Sequence, residues 1–331
     1  MSTGNGTGAL ESAPDRQPGK AALHPVDPRE ANARMGLLLG AMAVGLWSFG
    51  SSLIYLGARQ SGIWRFVAIA SLTGGGLQLV SRQVSQGEIR TAIRLPWRLW
   101  AGPLFCFVVY GLAWPCALVA SKATKVAGVN LINYLWPILT VVLSAWWVPG
   151  VRLNGRVVAA TGLALAGLVC ANAGAIRELL SPGTSAAVSQ WQQFLPYVLA
   201  SVAAVTWAVY SALLARWQNW SKQFVTSPIG FISIGIIACF AFLLSPADKG
   251  SPSFTGLLLT ILYGVGPLGA GYLLWELALG KAKVQTLSLL AAATPVLSTL
   301  LLCCVLGKAP DSGLLLATLL VSGGVWVSLK G

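Results

Sequence analysis

Residues Val126–Val148 read VAGVNLINYLWPILTVVLSAWWV. The run has the length of a membrane-crossing helix, because a hydrocarbon core ~30 Å thick takes about 20 residues at ~1.5 Å each. It nevertheless carries Asn130, Asn133, Thr140 and Ser144. Pro137 interrupts its middle, directly after Tyr134 and Trp136. Asn130, Asn133, Pro137 and Thr140 follow an i, i+3, i+7, i+10 spacing, which is one helix face. Polar groups on that face are costly against lipid, so the face is expected to turn inward.

A second run, Val284–Leu306 (VQTLSLLAAATPVLSTLLLCCVL), looks like a copy of the first. It places Ser288, Ala291, Pro295 and Ser298 where the first has Asn130, Asn133, Pro137 and Thr140, an offset of 158 residues. Lys125-Val126 and Lys283-Val284 share that offset. Trp47 meets Trp207 at an offset of 160, and Ala160-Thr161 meets Ala317-Thr318 at 157. The common order predicts an internal duplication.

Around these two runs the chain divides into ten apolar spans: 36–57, 64–81, 99–120, 126–148, 155–174, 194–215, 227–245, 255–279, 284–306 and 312–329. The expected fold is an all-α polytopic membrane protein. Residues 1–34 form a disordered cytoplasmic tail, 35–174 a first five-helix repeat, 175–193 a linker and 194–331 a second five-helix repeat. An odd number of spans per copy forces the second copy to insert upside down. That makes an inverted repeat, the arrangement behind many alternating-access carriers.

The composition agrees with a membrane protein: 56% of residues are hydrophobic and 9% charged, too few charges to cover a soluble surface of this size. The net charge of +13 reads as cytoplasmic loop charge rather than a nucleic-acid interface. With the N-terminus inside, 15 of the 22 Lys and Arg residues fall on the inner side, so both termini are expected in the cytoplasm of an inner, plasma-membrane protein. No basic and apolar leader precedes the first span, which then serves as the targeting signal. Cys106, Cys116, Cys170, Cys239, Cys303 and Cys304 all lie in apolar runs without ligand-like spacing and read as small core residues.

Enzymatic chemistry lacks its parts. The single histidine, His24, lies in the tail, and no phosphate-binding G-x-x-x-x-G-K-[ST] loop occurs. No catalytic residue, metal site or cofactor is therefore expected. Six aromatic residues sit inside spans rather than at interfaces: Trp47, Tyr110, Trp114, Tyr134, Trp136 and Trp207. A ring with one hydrogen-bonding tip suits an amphipathic small molecule, and equally supplies packing bulk. Asn133 either contacts substrate or joins helices, with Thr294, Ser298 and Thr299 as lesser polar candidates on span 9. Pro137 and Pro295 are hinges or static kinks. Glu276, in the last turn of span 8, is either locally paired or a coupling carboxylate.

The ten spans, the two five-helix units, Arg65-Phe66 at the opening of span 2 and the segment Ala120–Ala123 (ASKA), with its proline following in span 4, resemble the EamA-type branch of the drug/metabolite transporter superfamily. The aromatic-rich spans 3 and 4 are similar to the YddG-type exporters of aromatic and other neutral amino acids. The resemblance implies a central cavity formed by spans 1, 3, 4 and their repeats, with the prolines of spans 4 and 9 as bending points. It implies export of aromatic and other neutral amino acids or similar small metabolites. The spans carry no midplane acid, which leaves alternating-access exchange without strong ion coupling open, and no nucleic-acid partner is expected. The oligomeric state stays open, a monomer included. A multidrug or nucleotide-sugar carrier, or further off a channel or lipid scramblase, are the alternatives. Basic residues gathered at span ends weigh against phosphate-bearing cargo.

Overall fold

The computed structural model describes residues 28–86, 97–122, 125–148, 155–171, 190–216, 226–246, 250–279, 281–282, 287, 290–291, 293–310 and 312–329. His24, most of the tail, the linker over 175–189, the loop over 87–96 and the opening of span 9 lie outside them. Every element among the described residues is helical.

Span 1 comprises α1 (Pro28–Ser48) and α2 (Gly50–Ser61), and span 2 is α3 (Ile63–Gln86). Span 3 is α4 (Trp97–Ala120), and span 4 divides into α5 (Val126–Asn133) and α6 (Trp136–Trp147). Spans 5, 6 and 7 are α7 (Gly155–Ala171), α8 (Gln190–Arg216) and α9 (Thr226–Leu244). Span 8 runs through α10 (Phe254–Tyr263), a π-helical segment (Gly264–Gly271) and α11 (Tyr272–Leu279). The described part of span 9 is mainly α12 (Thr294–Val305), and span 10 is α13 (Ser312–Leu329). Among the described residues, seven helices are long and apolar enough to cross a membrane, and three shorter apolar helices accompany them in spans 5, 9 and 10. Large apolar side chains such as Leu38, Phe105, Phe240, Leu244 and Leu319 cover the outside, a surface suited to lipid rather than water.

Three local features depart from the sequence reading. First, α1 starts at Pro28, inside the stretch expected to be disordered. Proline suits a first helical turn, Glu30 complements the dipole there, and Arg34 pairs with Glu30 across one turn at 3.6 Å. Second, the prolines of spans 4 and 9 open new helices rather than kinking continuous ones. Tyr134 and Leu135 donate their N–H groups to the carbonyls three residues back, at 3.1 Å each, and α6 then begins with Pro137 in its first turn. Ala293 donates in the same way to Leu290 at 3.1 Å, and α12 begins with Pro295 in its first turn. Third, the turns around Pro267 widen into the π segment. A proline ring crowds the carbonyl one turn earlier, and a wider turn relieves the clash.

The larger contacts between helices correspond when the first five spans are exchanged for the last five. Span 3 packs on span 6, and its exchanged counterpart, span 8, packs on span 1. Spans 4 and 6 touch, as do spans 9 and 1. Spans 3 and 7 touch, as do spans 8 and 2. Spans 2 and 7, and spans 5 and 10, map onto themselves. The main core draws on spans 1–4 and 6–9, around Ile54, Phe66, Phe107, Leu118, Val129, Ile234 and Leu302. A smaller cluster of Leu131, Cys303, Leu314 and Ala317 joins spans 4, 9 and 10.

Candidate functional site

Aromatic rings from both halves of the chain meet around Trp207 on span 6. Its ring centroid lies 4.5 Å from Tyr110, 5.1 Å from Tyr210, 5.8 Å from Phe107, 6.1 Å from Trp136 and 6.2 Å from Tyr272. All fall within the separations at which aromatic pairs attract. Phe107 is a second hub, 4.9 Å from Phe231 and 5.3 Å from Tyr210. It is fully buried, and Gly230 on span 7 leaves the space its ring fills. From Tyr272 the rings continue to Trp47 at 5.5 Å and on to Trp275, 5.2 Å from Trp47.

Trp47 uses its polar tip on the protein: the indole N–H donates to the Pro267 carbonyl at 3.1 Å. Gln78, fully buried on span 2, donates its side-chain amide Nε2 to the Leu268 carbonyl at 2.6 Å. The π segment thus receives side-chain donors from spans 1 and 2 on consecutive carbonyls. Ser227 donates to Gln78 Oε1 at 2.9 Å and lies 3.3 Å from Glu276 Oε1. Glu276 is therefore part of a hydrogen-bonded chain linking spans 2, 7 and 8.

A separate polar knot joins spans 1, 4 and 9. Ser51 Oγ donates to Asn130 Oδ1 at 2.6 Å, Asn130 Nδ2 donates to Ser298 Oγ at 3.4 Å, and Ser298 Oγ donates to Ser51 Oγ at 3.2 Å. All three side chains are buried. The Tyr134 phenol lies beside Ser51 and Ser298, and the Tyr110 phenol lies beside Asn133. The polar knot and the aromatic cluster are therefore linked through the two asparagines and the two tyrosines.

The seven aromatic and polar candidates do not share one environment. Tyr110, Trp136 and Trp207 come together as ring partners. Tyr134 and Asn133 border them at the polar knot. Trp47 stands on the span 8 side, and Trp114 is buried in the main core. Pro137 and Pro295 mark the breaks of spans 4 and 9, the former next to Trp136. Phe107, Tyr210, Phe231, Tyr272, Ser51 and Gln78 were not singled out by the sequence. Tyr272 lies 158 residues after Trp114, the offset of the paired prolines, so the repeat itself carried a signal for it. Phe107, Phe231 and Ser51 have no such mark in apolar runs. Among the described residues every buried polar side chain is a Ser, Thr, Asn or Gln, so the interior is formally neutral.

A helical membrane protein with a neutral, aromatic interior shared between its halves has the makings of a small-molecule transporter, and the comparisons point to the same class. Residues 194–330 match the EamA-like transporter family. Over most of its length the chain is similar to two proteins named aromatic amino acid exporter YddG. It is 29% identical to the one from Ancylobacter novellus, over 88% of this chain and 96% of that protein. It is 26% identical to the one from Escherichia coli, over 87% of this chain and 94% of that protein. A solved crystal structure overlays with a TM-score of 0.62 at 26% identity, covering 90% of this chain and 98% of that one. The resemblance to EamA-type transporters, and to YddG-type exporters among them, is thereby shown.

Proposed function

We propose that this protein exports aromatic and other neutral amino acids across the inner membrane by alternating access. The observation that carries the reading is the Trp207-centred aromatic cluster, drawn from spans 3, 4, 6, 7 and 8 in an interior without buried charge among the described residues. Rings clustered at tilted and edge-on angles offer an amino-acid side chain favourable faces. A charge-free interior favours cargo with no net charge, because an uncompensated ion there is strongly disfavoured. The names of the two relatives point to the same substrate class.

In this reading the chain is ten transmembrane helices in two inverted five-helix repeats with both termini cytoplasmic. The exchangeable helix pairing supports the repeat. The broken helices of spans 1, 4 and 9, together with the π segment of span 8, supply points where halves of a helix can reorient. Tyr110, Trp136, Trp207 and Tyr272 form the wall that meets the substrate ring, while Asn133 and Tyr134 border its polar end. Trp47 ties span 1 to the π segment, and Trp114 fills the core. The chain performs no covalent chemistry on its cargo.

The test is uptake of labelled tryptophan and threonine into liposomes holding the purified protein. Saturable uptake of both, with none of a nucleotide sugar, is expected. Uptake no faster than in protein-free liposomes for a panel of neutral amino acids overturns the substrate assignment.

A further inference from the structure

Buried hydroxyls on these helices have a routine outlet. Ser48, Ser61, Thr260 and Thr318 each donate to the carbonyl four residues back, at 2.7 Å. This local bond satisfies a hydroxyl with no help from a neighbouring helix. Around the polar knot the habit changes. Ser51 and Ser298 turn to Asn130 and to each other. Ser52 Oγ and Thr299 Oγ1, next to them in sequence, have no hydrogen-bond partner, and neither does Asn133 Oδ1, one turn beyond Asn130. Their residues are 4%, 1% and 4% exposed respectively. A buried polar atom left unmade costs free energy, so three on the helices that the knot joins require an explanation.

The three come from three different helices that converge there. Ser52 lies seven residues before Arg59 on the same stripe of α2, and Arg59 donates to the carbonyls of Val119 and Ser121 at the end of span 3. Asn133 ends α5 beside the Tyr110 phenol. Thr299 follows Ser298 on the buried face of α12. Their chemistry is complementary. Asn133 Oδ1 only accepts, and suits a donor such as an ammonium group. Ser52 and Thr299 each hold a hydroxyl proton that a carboxylate oxygen can accept. The aromatic wall begins within reach of the same place, through Tyr110 and its partner Trp207.

Resting on the exporter reading above, we infer that Ser52, Asn133 and Thr299 form the subsite for the zwitterionic head of an α-amino acid. Asn133 takes the ammonium group, and Ser52 and Thr299 take the carboxylate. The Ser51–Asn130–Ser298 knot fixes the three helices that carry them. Recognition is by neutral groups alone, which favours a head group whose two charges are both present and cancel.

The experiment measures inhibition of labelled phenylalanine exchange in liposomes by phenylalanine, by phenethylamine (no carboxylate) and by 3-phenylpropionate (no ammonium). The wild-type protein should bind each truncated compound roughly ten- to a hundredfold more weakly than phenylalanine, the range set by leaving one or two buried groups unpaired. Asn133→Ala should erase the penalty against 3-phenylpropionate, and Ser52→Ala with Thr299→Val should erase the penalty against phenethylamine. Asn133→Asp, nearly isosteric, should shift preference toward phenethylamine and so tests the assignment even where Asn133→Ala folds poorly. Equal inhibition by all three compounds in the wild type, or unchanged discrimination in folded Asn133→Ala and Asn133→Asp proteins, overturns this subsite and leaves the exporter reading standing. Absence of any amino-acid exchange overturns both.

Discussion

Trp207 has the most ring partners of any described side chain, and its replacement should be felt in the cargo it selects. Each aromatic pair contributes about 0.5–1.5 kcal/mol beyond the area it buries. Trp207→Leu should therefore raise the apparent KM for tryptophan roughly tenfold, while threonine, which has no ring to stack, changes less. Initial-rate uptake of the two labelled amino acids measures the difference, and an equal loss for both contradicts the ring-wall assignment. Spans 4 and 9 break alike but present different residues before their prolines, Trp136 in one and Thr294 in the other. Trp136→Ala should alter the ratio of tryptophan to threonine transport more than Thr294→Ala; equal changes refute that division. Trp47 acts through structure instead. Trp47→Phe keeps a ring against Tyr272 but removes the donor to Pro267, leaving a carbonyl that costs about 1–2 kcal/mol when unmet. Thermal unfolding in detergent should show a lower midpoint, and an unchanged one would mean the indole bond contributes nothing.

At the scale of elements, the contact between span 2 and the π segment is a close-fitted joint near the site. A Cβ on Gly74 would lie 2.7 Å from Leu268 Cβ and 2.9 Å from the Gly264 carbonyl oxygen. Gly76, two residues on, would meet nothing within 4 Å. Gly74→Ala should push the π segment away and destabilise by about 1–3 kcal/mol, whereas Gly76→Ala should be neutral or slightly stabilising in a helix interior. Thermal midpoints of the two variants, and their transport rates, check the joint; equal behaviour contradicts it. Which of these elements could be read from the residues follows from how each is encoded. Helix length, apolar runs and the prolines of spans 4 and 9 are local, so the all-helical membrane fold and the places where spans 4 and 9 break were legible. The π segment was not: a Gly-rich stretch with Pro267 fits a packed straight helix equally well until the donors from Trp47 and Gln78 are seen. The polar knot was half legible. Asn130 and Asn133 stand out in an apolar run, but Ser51 and Ser52 look like any serines that bond their own backbone. Phe107 became a hub only because Gly230, far along the chain, makes room for it. Such long-range fits leave no periodic trace.

For the whole molecule, the larger contacts between helices correspond when the halves are exchanged, and the aromatic rings cross from one half to the other. That arrangement gives the alternating-access reading its physical sense: a protein whose halves can trade conformations opens first to one side and then to the other. The topology it requires places the segment between spans 7 and 8 outside and the segment between spans 8 and 9 in the cytoplasm. A single cysteine introduced at Gly250 in a cysteine-free background should react with an impermeant maleimide on intact cells, and one at Ala282 only after lysis; the reverse pattern contradicts the orientation. The most direct measurement of the central claim is counterflow. Liposomes holding the protein are loaded with unlabelled tryptophan and diluted into a trace of labelled tryptophan. A carrier that exposes one site alternately to each side drives transient accumulation of label above its equilibrium level, and the initial rate saturates with outside substrate. Label entry that rises linearly with concentration and is indifferent to preloading would contradict the account and indicate an open pore.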